Sequence, residues 1–106
     1  MCGLLKNLLP SIKETGLDGI NGLTPPPIGD TPFELALDTL GEDLIILGGS
    51  PDCNLFHNQS LSAGEIKQAL TRSIPPRIRS AHFLFWLVAD GLETELDNFF
   101  IVREWI

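Results

Sequence analysis

Residues 81–89 read Ala81-His82-Phe83-Leu84-Phe85-Trp86-Leu87-Val88-Ala89, and this almost unbroken apolar run constrains the fold more than any other stretch. A segment apolar on every side belongs inside a packed domain or against a partner, because no face of it suits water. It is also far shorter than the roughly 20 residues that a membrane-spanning helix requires. Pro75-Pro76 precede it and Asp90-Gly91 follow it. Proline is tolerated at the start of a helix and glycine ends one, so the expectation is a helix from about Pro76 to Gly91.

Two further helices carry start signals. In Thr31-Pro32-Phe33-Glu34, Thr31 can cap, Pro32 suits the first helical position and Glu34 can reach back to the cap. Phe33, Ala36, Leu37 and Leu40 then share a face, and Gly41 supplies the stop. Ser62-Ala63-Gly64-Glu65 repeats the capping pattern ahead of a stripe formed by Ala63, Ile66, Ala69 and Leu70. Leu92, Leu96, Phe99 and Ile106 outline a last helix. Residues 44–47, Leu44-Ile45-Ile46-Leu47, are short and apolar and are followed by Gly48-Gly49, as in a brief buried strand.

Before these elements, Leu4, Leu5, Leu8, Leu9 and Ile12 recur at helical spacing, with a bend expected at Pro10. A glycine-rich stretch and the triplet Pro25-Pro26-Pro27 follow, which favour extended chain. Residues 1–29 therefore read as an amphipathic segment and a Gly/Pro-rich arm, and residues 30–106 as a single helical domain. The expected fold class is mainly α, a small helical domain with an extended N-terminal arm. The alternative is α+β, with a short sheet made from residues 44–47 and 99–102.

With 106 residues the chain can bury one core. Fourteen acidic against seven basic residues give a net charge of −7, which opposes contact with nucleic acid or anionic lipid. Only two cysteines occur, Cys2 and Cys53, and the first residues lack the charged and long apolar segments of a secretory signal. A reducing, cytoplasmic compartment is the expectation, and Asn58-Gln59-Ser60 then matches a glycosylation sequon by chance.

Three constellations could carry chemistry. Met1-Cys2-Gly3 resembles the opening of glutamine amidotransferases that use an N-terminal cysteine, a resemblance that implies Cys2 as nucleophile. It extends over three residues, and a leucine-rich helix follows instead of a buried strand. Cys53 and His57, with Cys2 and His82, supply the sulfur and nitrogen donors zinc prefers, but only one pair has close spacing. Lys67, Arg72, Arg77 and Arg79 gather around the proline break and could bind an anion or nucleic acid in a helix-turn-helix. The second helix of that motif would present Phe83-Leu84-Phe85-Trp86 where polar base-reading side chains are needed. Glu93, Glu95 and Asp97 cannot share one helical face, and Gly48-Gly49 lacks the lysine of a phosphate loop.

No catalytic, metal or cofactor site is assigned from these patterns. What remains is apolar surface in excess of what a small domain can hide. The functional expectation is a non-catalytic protein–protein interaction module that self-associates or docks a partner. Phe100, Trp105 and Ile106 at the C-terminal end and Leu5 and Leu9 in the arm are its expected contact residues, since aromatic anchors dominate such interfaces.

Overall fold

A computed structural model describes residues 3–27, 29–49, 61–86 and 96–106. It is α+β, built around a three-stranded parallel sheet, so the mainly α expectation is corrected. A 3-10 turn at Lys6–Leu8 leads into α1 (Leu9–Glu14), followed by β1 (Gly19–Asn21), α2 (Phe33–Leu40) and β2 (Ile45–Gly49). Then come α3 (Ala63–Ser73), α4 (Pro76–Arg79), β3 (Phe83–Trp86) and α5 (Leu96–Trp105). The strand order is β1-β2-β3, with Ile20 beside Ile46 and Ile46 beside Phe83.

The helix expected from Pro76 to Gly91 ends after one turn, at Arg79, and the apolar run continues as strand β3. Its residues are bulky and aromatic, which favours the pleated surface of a sheet, and strands of parallel sheets read as near-continuous apolar runs. The alternative sheet is corrected as well. A strand does occupy Ile45–Gly49, but its neighbours are β1 and β3, and residues 99–102 lie within α5. β1 was hidden in the glycine-rich stretch because three residues are too few to show a period.

The segment read as an arm contributes to the same core as the rest. Leu5, Leu9, Ile12, Ile20 and Leu23 are buried in one cluster with Phe33, Ala36, Leu37, Leu44, Ile46, Ile74 and Ile78. A second cluster joins Ile66 and Leu70 of α3 to Val102 of α5, with Phe85 and Trp105 packed against both. Asp30 ties the first turn to this body, its Oδ1 accepting from the backbone N–H of Leu5 (2.8 Å) and of Lys6 (3.1 Å).

Local signals explain the helix ends. The capping box at Ser62 and Glu65 forms, with Glu65 N–H donating to Ser62 Oγ and Ser62 N–H donating to Glu65 Oε2. The box expected at Thr31 and Glu34 does not. α2 starts at Phe33 without a side-chain cap, and the Thr31 hydroxyl donates instead to Asp30 Oδ1 at 2.9 Å. Gly41 ends α2 at φ 115°, a backbone that only glycine adopts without strain. At Gly48 a Cβ would stand 3.2 Å from the Phe33 ring, so any larger residue there would push on that ring.

Candidate functional site

The sheet has two unlike faces. Ile20, Ile46 and Gly48 are buried, and Phe83 and Phe85 pack with them against the helices. Successive side chains of a strand alternate between faces, so the residues between these point the other way. There Ile45 is 44%, Leu84 58% and Trp86 48% exposed, with Leu47 half-buried among them. The outer surface of the sheet is thus an apolar patch of Ile45, Leu47, Leu84 and Trp86, continued by Asn21 on β1.

The topology accounts for this imbalance. Parallel neighbours require crossover connections, and crossovers are almost always right-handed. Both steps, β1 to β2 and β2 to β3, advance in the same direction across the sheet, so the rule brings their helices to one face. Core residues of α1, α2 and α4, and Ile74 just after α3, share one cluster with Ile20 and Ile46. Parallel sheets are ordinarily covered on both faces, so a face on which none of the described helices packs is the unusual feature here.

The strands carry no charged side chain, and the helices carry charges of both signs. All seven basic residues lie on helical elements: Lys6 in the first turn, Lys13 in α1, Lys67 and Arg72 in α3, Arg77 and Arg79 in α4, and Arg103 in α5. Asp18 and Asp43 are exposed beside the starts of β1 and β2. The open sheet face therefore has no charge of either sign on its strands, with Asp18 and Asp43 at the strand starts.

The basic cluster expected around the proline break is largely occupied. Lys67 pairs with Glu104 at 3.1 Å. Arg77 pairs with Asp38 at 2.8 Å and with Glu42. Those two hydrogen bonds, Glu42 foremost, raise the Arg77 pKa above its ordinary value. Arg79 lies 4.6 Å above the Trp105 ring and donates to the Ile106 backbone oxygen at 3.0 Å. Arg72 makes no ion pair among the described residues. It borders a cleft of about 490 Å³ with Pro25, Pro32, Phe33 and Ala69. Glu34 lines the same cleft. The helix-turn-helix fails at its second helix, since Phe83–Trp86 is a strand.

Of the expected contact residues, Phe100 and Ile106 are outward-facing, at 50% and 64% exposed. Trp105 is turned inward: its ring is tilted against Phe85 at 6.5 Å, and its Nε1 donates to Thr71 Oγ1 at 3.0 Å. Leu5 and Leu9 are buried in the core, away from water. The structure therefore does not bring the five together in one surface. Cys2, Cys53 and His57 lie outside the described residues, while His82 is exposed just before β3. Among the described residues no three His, Cys, Asp or Glu side chains gather as a metal site, and no helix is long and apolar enough to cross a membrane.

The open sheet face was not legible as a site, because the same alternation that creates it was hidden by an all-apolar run. A parallel neighbour for residues 45–47 was the missing information. No protein-family model, curated protein or solved structure matches this chain.

Proposed function

We propose that this chain acts as a protein-interaction module whose docking surface is the open face of its parallel sheet. The observation that carries this reading is the exposure of Ile45, Leu84 and Trp86 on the strands of a parallel sheet. Large apolar side chains grouped on a rigid, hydrogen-bonded surface lose little entropy when covered, which favours association over a mobile apolar loop. The surface lacks any grouped nucleophile, acid or base among the described residues, so its chemistry is that of apolar contact.

Phe100 on α5, 50% exposed, supports the other version of the same function. Retention of cellular proteins on the immobilised full chain separates the two. Leu84→Lys should release proteins that the unaltered chain and Phe100→Ser both retain. Loss with Phe100→Ser and not with Leu84→Lys moves the docking surface to α5, and equal retention by all three removes the proposal.

A further inference from the structure

We infer that the occupant of the open sheet face is an amphipathic helix of about three turns, flanked by lysine or arginine and supplied by a partner protein. The inference rests on the docking role proposed above and adds the partner's chemistry.

Geometry selects a helix. Three strands leave two gaps of about 4.8 Å, so the outer strands stand roughly 10 Å apart, close to the 10–12 Å diameter of a helix with its side chains. The five residues of β2 extend about 16 Å, the length of about eleven helical residues. The shortest dimension of the molecule is 17 Å, which accommodates one sheet and one helical layer at the roughly 10 Å spacing of packed layers. A helix laid along the strands supplies the third layer that parallel sheets ordinarily have.

Charge selects its flanks. Every basic residue of this chain is on the helical layer, and Asp18 and Asp43 stand at the margin of the sheet. Lysine or arginine beside the apolar stripe of the incoming helix would meet acid there, and its attraction to a chain of net charge −7 assists encounter. A second copy of this chain brings the same negative charge and the same acidic margin.

The test measures the anisotropy of fluorescently labelled peptides of about 14 residues, each with leucine at the i, i+3, i+4, i+7 positions of one helical face. One has lysine flanks, one has glutamate flanks, and one has lysine flanks with a central proline that breaks the helix. The full chain should bind the lysine helix at least about tenfold more tightly than either of the others, a margin of about 1.4 kcal/mol. Leu84→Lys should weaken it by at least about the same factor, as should Ile45→Thr, and Phe100→Ser should leave it unchanged. Circular dichroism checks that each variant folds. Equal or better binding of the glutamate or proline peptide overturns the inference, as does the absence of saturable binding. Sedimentation showing a dimer that Leu84→Lys disperses also overturns it, in favour of a second copy. If the peptides fail while Leu84→Lys still releases the retained proteins, the docking face stands and the helix is withdrawn. If Leu84→Lys releases nothing, the face itself is withdrawn.

Discussion

Leu84 of β3 lies beside Leu47 of β2 in the register of the sheet, on the surface opposite the helices. Its sequence neighbours Phe83 and Phe85 turn inward, where Phe83 meets the Phe33 ring edge-on at 5.3 Å. One residue of shift along the strand thus separates a side chain that holds the core from one left open to water.

That contrast has an energetic signature. Leu84→Lys should change stability by no more than about 0.5 kcal/mol, as surface substitutions do. Ile46→Ala, on the neighbouring strand but fully buried, should cost about 2–5 kcal/mol through lost burial and the cavity left behind. Urea denaturation of the two variants measures both. A loss of about 2 kcal/mol or more in Leu84→Lys, the range of core substitutions, would contradict an open face.

Gly48 and Phe33 are coupled by their close approach. Gly48→Val should destabilise by about 1–3 kcal/mol, the usual range for overpacking. The smaller side chain of Phe33→Leu should offset part of that loss, so the double variant should lose less than the sum of the single changes. Additive losses in a double-mutant cycle would show that the ring does not limit the space at Gly48.

At α3, the reciprocal bonds of Ser62 and Glu65 satisfy amides that the helix cannot satisfy itself. Ser62→Ala should cost about 1 kcal/mol. Glu65→Ala in the same chain should then add less than it does alone, because the box acts as a unit. Thermal unfolding of the single and double variants checks this.

Thr31 offers the same type of signal and no cap forms there, which shows how far the sequence could be read. The stripes of α2 and α3 were visible because each repeats over at least two turns, and the strand around Ile45 was visible because glycines bound it. The sequence of β3 reads as helix, since periodicity cannot distinguish a fully apolar strand from a buried helix. Its strand state depends on pairing with residues 46–49, a contact distant along the chain. The candidate site was less legible still. Which of Ile45 and Ile46 faces water is set by the side on which the crossovers lay their helices, a property of topology and not of any local pattern. Thr31 lost its expected capping role to a tertiary competitor, Asp30, whose carboxylate gathers the first-turn amides.

Asp30 should therefore contribute to acid sensitivity. Burial pushes its carboxyl pKa up, but hydrogen bonds from the Lys6 N–H, the Thr31 hydroxyl, the Leu5 N–H and its own backbone outweigh this and hold it below the ordinary value of 3.8. A carboxyl with a depressed folded pKa binds protons more readily when unfolded, so its stabilisation is present above that ordinary value. It is lost as the pH falls through the lower, folded value. Asp30→Asn should lower the melting temperature at neutral pH and narrow its difference from the unaltered chain as the pH drops below 3.8. A difference that stays constant with pH would exclude this role for the carboxylate.

The central claim is that one face of the sheet is packed and the other is open to solvent, and methyl relaxation by a soluble paramagnetic agent measures it residue by residue. The methyl groups of Ile45 and Leu84 should relax strongly, while those of Ile20 and Ile46, on the same strands or their immediate neighbours, stay protected. Equal protection of Ile45 and Ile46 would contradict the account, because it would mean that the sheet is already covered on both sides.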